Sequence, residues 1–454
     1  MTVHKLDSML LDGKEPQTVA PRRSLTQFDA VALIVGLVIG AGIFETPALV
    51  AANTGSIGGV IRVWLVGGVV SVLGALCYAE LATAYPHVGG NYYYLKRAFG
   101  QPIAVLFAWA RMTVIQTGSI ALLSFVFGDY ASQLFSLGSY STSLYAAIAI
   151  VLLTVLNIIG LRQSNRLQNW LAITLVLGLL LVILVGLAAA PAAPVPSFAS
   201  STSPPSWGLA LVFVLLSYGG WNEAAYISAE MRHPQRHIVQ SLLWSLGIIT
   251  GLYLLLNLAY LRGLGVAGMA GSQAVAADLL RQSLGEPGAA FVSLLVVVAT
   301  LGSINATIFT GARSAFALGQ DVFSLRFLGR WDAQPSVPTT AYLLQGALAI
   351  ALVGLGTFTR KGFETMVDYT APIFWFFFLL STLSLIVLRI QEPTRLRPFR
   401  VPLYPIVPML FCAICGYLLY SSLIYTGVGA IAGVVVVLLG LPLVGRTTSP
   451  NNHS

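Results

Sequence analysis

The strongest constraint in this sequence is the recurrence of long apolar runs. About twelve runs of roughly 20 residues, the length that crosses a hydrocarbon core as an α-helix, follow one another along the 454-residue chain. The chain is 57% hydrophobic and 9% charged, with a mean hydropathy of +0.83. A soluble domain with this balance would aggregate, so we predict an all-α integral membrane protein. The predicted spans begin near Asp29, Gly59, Gln101, Ser143, Leu167, Gly208, Val239, Ala290, Thr339, Val367, Pro402 and Thr426.

The net charge of +8 is explained by how basic residues are distributed between the spans. Arg111 lies within a span, and nearly all other lysines and arginines fall in alternate connecting segments, the set that contains the N-terminal residues. The positive-inside rule therefore predicts that both termini are cytoplasmic and leaves no basic excess for nucleic-acid binding. The segments of the opposite set hold only Arg62, Arg262, Arg281, Arg360 and Lys361.

Two of the runs carry glycines in the middle of a predicted span. They are VIGAGIFETP (38–47) in the first run and LSYGGWNEAAY (216–226) in the sixth. Glycine in a membrane helix commonly serves close packing, and Gly36 with Gly40 has that spacing. Interrupted helices at matching places in two halves of a chain instead indicate the central site of a transporter. Unwound backbone persists in hydrocarbon only where a ligand, ion or water pairs with it.

An amino acid zwitterion suits a pair of such gaps without any charged side chain. Its carboxylate can accept hydrogen bonds from N–H groups that begin a half-helix, at the positive end of the helix dipole. Its ammonium can donate to carbonyls that end another half-helix. We predict N–H donors at Ala41, Gly42 and Ile43, and carbonyl acceptors at Val38, Ile39 and, from the sixth span, Leu216, Ser217 or Gly219.

Five motifs carry a resemblance to a known family. They are IGAGIF (39–44), CYAELATAYPHVGGNYYYLKRAFG (77–100), VIQTGSIA (114–121), SYGGWNEAAYISAEMRHPQR (217–236) and GSINATIFTGAR (302–313). In this order they resemble the amino acid–polyamine–organocation (APC) permeases, and the chain looks closest to the prokaryotic type of the L-type amino acid transporter branch. The likeness covers about residues 28 to 330, and the last two spans match in hydropathy only.

The resemblance implies a LeuT-like fold with broken helices 1 and 6, two inverted repeats of five helices, two further helices, and alternating access. It implies that Gly40, Ala41 and Gly42 hold the substrate carboxylate, and that the sixth-helix break, Ser217, Tyr218, Gly219, Gly220 and Trp221, holds the amino group and lines the side-chain pocket. The expected organisation is a cytoplasmic tail (1–28), a first repeat (29–190), an external Pro/Ser-rich loop (191–207), a second repeat (208–390), two last helices (391–445) and a cytoplasmic tail (446–454).

The chain departs from the family pattern at three places. Many L-type relatives carry a lysine in the fifth helix, where this chain has Thr174 and Leu175. Proton coupling through that lysine is therefore not expected of this chain. Leu216 stands where some relatives have a gate phenylalanine. The loop after the third helix has no cysteine, so we expect no covalently bound partner, and we expect a monomer or weak oligomer in the cell inner (plasma) membrane.

Charged residues inside a membrane are costly and need partners or water. Glu45 is a candidate proton acceptor or selector of cationic side chains, with a structural hydrogen-bonding role as the alternative. Glu223 is a candidate for proton coupling, with pairing to Arg111 as the alternative, and for Arg111 we favour a fixed salt bridge. Glu80 and Glu230 are expected to contact arginines or to cap helices.

Oxygen-bearing residues on the eighth span keep sodium coupling open, since hard cations prefer oxygen ligands. Ser303, Asn305 and Thr307 are the candidates, facing the first helix. Trp221 is interpreted as a gate or pocket wall rather than an ordinary packed aromatic. The tyrosines at 92–94 are expected to form an interfacial belt.

We therefore predict a secondary amino acid transporter, an exchanger or a proton symporter, with neutral substrates as the first choice. A cationic amino acid or polyamine permease, sodium coupling, and a non-transporting sensor stay open as alternatives. A channel is disfavoured because no repeated filter segment is found. An enzyme is disfavoured because the five histidines are scattered. We expect no metal and no cofactor beyond a coupling proton or sodium ion, and we interpret Cys77, Cys412 and Cys415 as small packed residues.

Overall fold

The computed structural model describes residues 25–40, 42–188, 207–232, 234–272, 274–332, 336–359, 362–426 and 428–444. Within these ranges the chain is almost entirely helical, and the β-type pairing present consists of two isolated bridges, Leu25 with Met231 and Asp332 with Val337. Most of the predicted tails and external loop, as well as Ala41, Arg360 and Lys361, lie outside the described residues.

The α-helices follow one another in chain order. They are α1 (Gln27–Val38), α2 (Gly42–Thr54), α3 (Ile57–Ala84), α4 (Asn91–Phe99), α5 (Gln101–Ala110), α6 (Gln116–Leu134), α7 (Ser141–Ile159), α8 (Leu161–Ala188), α9 (Trp207–Ser217), α10 (Ala224–Ile227), α11 (Pro234–Gly271), α12 (Val275–Leu284), α13 (Glu286–Asp321), α14 (Thr339–Thr359), α15 (Gly362–Gln391), α16 (Ile406–Thr426), α17 (Val428–Leu438) and α18 (Leu441–Val444). A π-helical turn (Arg111–Ile115) joins α5 to α6.

The prediction of a multi-pass membrane protein is confirmed by the length and surface of these helices. In the described part of the chain, nine helices are long and apolar enough to cross a bilayer, and α1 with α2 forms a further span bent by 47°. Large apolar side chains such as Trp170 and Leu184 are exposed on the outside, whereas polar ones such as Asn157 and Asn305 are buried. This distribution suits a lipid solvent, in which polar groups must be paired inside the bundle.

The first span is interrupted where the sequence carries its glycines. Helix α1 begins with a capping box in which Thr26 and Asp29 bond each other's backbone N–H groups. It ends at Val38, and Ile39 then leaves the helical region with ψ of 75°. Helix α2 begins at Gly42.

The sixth span is interrupted in a similar way and does not resume as one continuous helix. Helix α9 ends at Ser217, and Gly220 takes a left-handed φ of 115°, which glycine adopts without steric cost. The chain then runs through a 3-10 turn (Trp221–Glu223), the four residues of α10 and a second 3-10 turn (Ser228–Glu230). Because this second half has little regular hydrogen bonding of its own, its position depends on tertiary contacts.

A carboxylate at the end of α3 organises one end of the bundle. Glu80 is fully buried and accepts hydrogen bonds from Arg389 at the end of α15, at 2.8 and 2.5 Å. It also accepts from the backbone N–H of Val401 at 2.7 Å and lies 3.3 Å from the guanidinium of Arg397. Glu80 thus fixes the linker between α15 and α16 against α3, in agreement with the expected arginine contact.

The tyrosine belt expected at residues 92–94 is wrong for two of its three members. Tyr92 and Tyr94 are buried at 2% and 0% exposure, and only Tyr93 is partly exposed. Tyr92 donates a hydrogen bond to Asp321, which Lys96 also contacts at 2.6 Å. Helix α4 therefore turns Tyr92 and Tyr94 toward the bundle.

We expect Glu80→Gln to cost about 3 kcal/mol of the free energy of unfolding, because it leaves buried arginines without their carboxylate. The matched control is Glu286→Gln, whose side chain is 80% exposed and pairs with Arg281, and which should cost under about 0.5 kcal/mol. Thermal unfolding of the two purified variants in detergent measures the difference. Equal melting temperatures would contradict this role of Glu80.

Candidate functional site

The two interruptions lie against each other in the middle of the bundle. A Cβ added to Gly42 would lie 2.8 Å from Ser217 Oγ and 3.0 Å from Ser217 Cα. A Cβ added to Gly220 would lie 3.1 Å from the backbone carbonyl carbon and oxygen of Leu37. The chain segments approach so closely that a side chain larger than hydrogen does not fit at either glycine, which explains both residues physically.

Tyr253 of α11 connects the ends of two half-helices. Its hydroxyl lies 3.1 Å from the carbonyl oxygen of Val38, the last residue of α1, and 3.0 Å from that of Ser217, the last residue of α9. The side chain is fully buried and packs edge-on against Trp64 and Tyr218 at centroid distances of 5.2 and 5.1 Å. One hydroxyl proton serves two carbonyls, so at any moment one of them lacks this donor.

The helix dipoles at the junction have opposite signs on its two sides. The carbonyl ends of α1 and α9, at Val38 and Ser217, carry partial negative charge. The start of α2, at Gly42 and Ile43, carries partial positive charge and N–H groups that have no partner within the helix. Ala41, which was predicted between them, lies outside the described residues. The junction can therefore bind a positive and a negative group side by side.

The predicted substrate-binding residues of the sixth span differ in their surroundings. Ser217 Oγ lies 2.8 Å from Thr46 Oγ1 of α2, and the Tyr218 hydroxyl donates to the carbonyl of Trp64 at 3.2 Å. The carbonyl of Leu216 accepts from the N–H of Gly219 at 3.1 Å, and the Leu216 side chain is 41% exposed. Leu216 therefore contributes less to the junction than its neighbour Ser217.

Helix α13 reaches the first span through a single hydroxyl near the break. Ser303 Oγ donates to the carbonyl of Gly36 at 2.6 Å, and it lies 3.0 Å from where a Cβ of Gly40 would be. Ser303 faces the first helix, as the sequence predicted. The hydroxyl hydrogen of Ser303 already bonds the Gly36 carbonyl, and the lone pairs of its oxygen can still act as an acceptor.

Two predicted coupling residues lie away from the first helix. Asn305 is buried in a carboxamide chain: it donates to Gln168 at 3.0 Å and accepts from Asn157 at 2.9 Å. Thr174 is exposed on the outer face of α8, and its neighbour Leu175 is the buried residue at 1% exposure. Asn305 was expected to offer its oxygen toward the first helix, and that oxygen accepts a hydrogen bond from Asn157. The roles of Asn305 and Thr174 as candidates for coupling or selectivity stay predictions.

Trp221 is part of an aromatic cluster immediately after the second break. Its ring lies 5.4 Å from Tyr78, 5.5 Å from Phe378 and 6.0 Å from Phe411. A small pocket of about 20 Å³ opens beside it, room for about one water molecule. The pocket is lined by Gly219, Asn222, Ser71, Phe374, Trp375 and further apolar side chains of α3, α15 and α16.

Glu223 is bound by Arg111 in a bidentate ion pair beneath the second break. The guanidinium contacts the two carboxylate oxygens at 3.1 and 2.5 Å, and the side chains are 3% and 8% exposed. Arg111 also donates to Ser314 of α13 at 3.1 Å and lies over the ring of Tyr226 at 4.0 Å. The structure therefore matches the pairing alternative for Glu223 and the fixed salt bridge for Arg111.

Glu45 lies in the first turn of α2 and has a partner on the third span. The hydroxyl of Tyr130 donates to its carboxylate at 3.2 Å, and its side chain is partly exposed. It is therefore held within the bundle and also reaches the space beyond the junction. Among the described residues, no group of three histidine, cysteine or acidic side chains has the geometry to hold a metal ion.

Sequence reasoning missed Tyr253, Gln168 and Tyr130. The hydroxyl of a tyrosine inside an apolar helix needs a hydrogen-bond partner when it is buried. Tyr253 could therefore have been predicted to make a buried hydrogen bond. Its partners are backbone carbonyls of two distant segments, and no side-chain pattern records such partners. Gln168 presses against Gly36, whose missing Cβ makes room for its amide group.

Known proteins match nearly the whole chain. The family model described as "Amino acid permease" matches residues 25–445. The "b(0,+)-type amino acid transporter 1" of Rattus norvegicus is 31% identical over 427 residues, 92% of this chain and 86% of that protein. The "Cystine/glutamate transporter" of Homo sapiens is 29% identical over 448 residues, 95% and 87% of the two chains. The "Large neutral amino acids transporter small subunit 2" of Mus musculus is 30% identical over 438 residues, 94% and 81%.

The matching family and the similar proteins are amino acid transporters and not enzymes. The chain belongs to the amino acid permease family of the APC superfamily. The similar proteins are members of its L-type branch, as the five motifs predicted.

We expect Gly42→Ala to abolish amino-acid-induced thermal stabilisation and to lower transport about tenfold or more, because the added methyl group collides with the backbone of Ser217. Gly251→Ala in α11 is the matched control, since nothing lies within 4 Å of its added Cβ. Normal substrate response in the Gly42 variant would contradict the close approach of the two breaks.

A double-mutant cycle tests the buried pair of Arg111 and Glu223. We expect Arg111→Met and Glu223→Gln each to cost about 3 kcal/mol of stability, because each leaves a buried charge or polar group unpaired. The double variant should lose about 2 kcal/mol less free energy of unfolding than the sum of the two single losses, measured by unfolding in detergent. Additive losses, or a loss of pH-dependent transport without loss of stability in Glu223→Gln, would contradict a fixed pair.

Proposed function

We propose that the protein is a secondary active transporter that moves amino acids by alternating access, as an exchanger or a proton symporter. The observation that carries this proposal is the junction of the two broken spans. There the negative ends of two half-helices and the positive end of a third lie within one small volume, and no charged side chain is needed to bind both ends of a zwitterion.

The carboxylate of the substrate would bind at the start of α2. The N–H groups of Gly42 and Ile43 begin a helix whose dipole favours a negative charge. Gly42 has no Cβ, so a carboxylate can reach the backbone directly. Gly40 and Ala41 complete this segment in the family pattern, and we assign them the same role.

The ammonium of the substrate would bind at the carbonyls of Val38 and Ser217. Tyr253 can donate to only one of them at a time, and although the Val38 carbonyl also accepts from the N–H of Gly40, each carbonyl oxygen has two lone pairs, so both can accept from an ammonium hydrogen. We propose that Tyr253 keeps the two carbonyls at a fixed separation when the site is empty. It would continue to donate to one of them when the site is full.

Neutral side chains fit the surroundings of the junction best. The nearest acids already have partners, Glu223 in its pair with Arg111 and Glu45 in its hydrogen bond from Tyr130. The wall beyond Gly219 is aromatic, with Trp221 and Phe378 in contact. A cationic substrate is the second candidate, because the partly exposed Glu45 could compensate a positive side chain near the start of α2.

Movement of the broken spans has to accompany binding. The pocket beside Trp221 holds about 20 Å³ and is too small for an amino acid side chain. The short segments after Ser217 can shift at low cost, since little regular helix has to be broken. We assign the first ten spans to two inverted five-helix repeats with two additional helices, twelve spans in all, and this is the LeuT-like architecture of alternating access.

Sodium coupling is less favoured than exchange or proton coupling. The side-chain oxygen of Asn305 already accepts hydrogen bonds from Asn157 and Ser164, and the hydroxyl of Ser303, which donates to the first span, is left as the nearby oxygen with free lone pairs. We place the protein in the cell inner (plasma) membrane with cytoplasmic termini, on the distribution of its basic residues. Cys77 and Cys415 are buried and Cys412 is partly buried, which suits a protein without a covalently attached partner.

Uptake by proteoliposomes of the purified protein tests the proposed function. Labelled neutral, cationic and acidic amino acids are supplied with or without a proton gradient, sodium, or internal amino acid. We expect uptake of neutral amino acids that depends on internal amino acid or on an inward proton gradient. Binding without flux would identify a sensor, and dependence on sodium alone would overturn the coupling assignment.

We expect Tyr253→Phe to weaken amino acid binding by roughly 2- to 10-fold, because one shared hydrogen bond to the junction is lost. Tyr260→Phe is the matched control: it lies on the same helix, is equally buried, and its hydroxyl has no hydrogen-bond partner in the described part of the chain. Isothermal titration with a transported amino acid measures both variants. Equal affinities in the two variants would contradict the role of Tyr253.

A further inference from the structure

The linker between α15 and α16, residues 392–405, has an ordered inner side and an unusual outer side. Its inner side is fixed by Glu80 through Arg389, Arg397 and the N–H of Val401. Because it joins two consecutive membrane helices, the linker lies at a membrane face by construction. Its outer side is therefore next to lipid headgroups or water.

Large apolar side chains project from this linker and from the helix ends beside it. Leu396 is 79% exposed and Leu403 is 73% exposed, with Ile390 and Ile406 flanking them. Leu403 takes a φ of 51°, an uncommon conformation for a bulky residue. A tightly held loop that exposes leucines in water would gain nothing, whereas in the interfacial layer of a bilayer these side chains are buried among acyl chains.

Positive charge surrounds the exposed leucines. Five arginines lie in and beside the linker, whereas the acids that contact them, Glu80 and Glu392, are both already paired. Arg400 is exposed and makes no hydrogen bond or ion pair with any residue that the structure describes. The arginines are Arg97, Arg389, Arg395, Arg397 and Arg400.

The two acids, Glu80 and Glu392, offset only two of the five arginine charges. Glu392 loses some hydration, which disfavours its charge, but hydrogen bonds from Arg97 and Tyr85 hold its pKa below the ordinary value. Arg97 contacts it at 2.9 and 2.5 Å. Arg395 is held over the ring of Tyr85 at 5.0 Å and donates to the carbonyl of Ala84, so its charge stays at the surface.

We propose that the outer side of the linker, formed by Arg395, Leu396, Arg400 and Leu403, is a docking surface for anionic phospholipids. The leucines would insert between acyl chains, and the two exposed arginines would bind headgroup phosphates, for which the planar guanidinium is suited. The bound lipid fixes the ends of α15 and α16 at the membrane face. This inference does not depend on which amino acid is transported.

Native mass spectrometry of the purified full-length protein tests the proposal. The protein is given equal amounts of dioleoyl phosphatidylglycerol and dioleoyl phosphatidylcholine of matched chain length. We expect preferential retention of phosphatidylglycerol, reduced about fivefold by Arg400→Gln, the contribution of one basic residue near an anionic surface. Arg400→Lys should keep most of the preference, and Leu396→Ser should lower retention of both lipids.

Arg62→Gln is the matched control, because Arg62 is also an exposed arginine and it lies at the start of α3, far along that helix from Glu80. Its substitution should leave the lipid preference unchanged. Equal retention of the two lipids by the wild type, or an equal loss in the Arg62 and Arg400 variants, would overturn the proposal.

Hydrogen–deuterium exchange of the unmodified protein gives a second test that needs no variant. In nanodiscs of phosphatidylglycerol, amides of residues 394–404 should exchange more slowly than in nanodiscs of phosphatidylcholine. Residues 275–284, in α12, serve as the internal reference and should not change. Identical exchange of the linker in both lipids would contradict an anionic docking surface even if the variants failed to fold.

Discussion

The structure depends on the cost of leaving backbone polar groups unpaired inside a membrane. Each interruption of a spanning helix exposes N–H and C=O groups that would cost several kcal/mol in hydrocarbon. The protein places its two interruptions against each other and supplies hydroxyls from neighbouring helices. Tyr253 serves the carbonyls of Val38 and Ser217, and Ser303 serves that of Gly36. The N–H groups at the start of α2 and the remaining lone pairs of the Val38 and Ser217 carbonyls are the groups that we propose bind the substrate; the Val38 carbonyl also accepts from the N–H of Gly40 at 2.9 Å.

The second half of the sixth span depends on buried charges rather than on helix formation. Its short 3-10 and α segments are tied to the third span through Arg111 and Glu223 and to α13 through Arg313 and Glu230. Each pair is desolvated, and its loss would leave an uncompensated charge in the bundle. A segment with few hydrogen bonds of its own is thereby kept in one position.

Much of the central architecture could be predicted from the sequence, because glycine in the middle of an apolar run marks a backbone requirement directly. The positions of both breaks and the pairing of Arg111 with Glu223 follow from residue type and depth. The rotation of each helix about its own axis does not follow from residue type and depth. The spans of Thr174 and Asn305 are apolar around most of their circumference, so periodicity does not tell which face turns toward the first span. The prediction for Tyr92 and Tyr94 was wrong for a related reason. A tyrosine in an interfacial belt and a buried tyrosine with a polar partner are the same residue type, so the sequence does not distinguish them.

We propose that backbone groups of the two breaks bind the two charged ends of an amino acid. An experimental structure of the protein with a transported amino acid bound, at a resolution that separates carboxylate from ammonium, tests it most directly. We predict the carboxylate about 3 Å from the amide nitrogens of Gly42 and Ile43, with the ammonium at the carbonyls of Val38 and Ser217 beside the Tyr253 hydroxyl. A substrate bound elsewhere, or held at both ends by charged side chains, would contradict it.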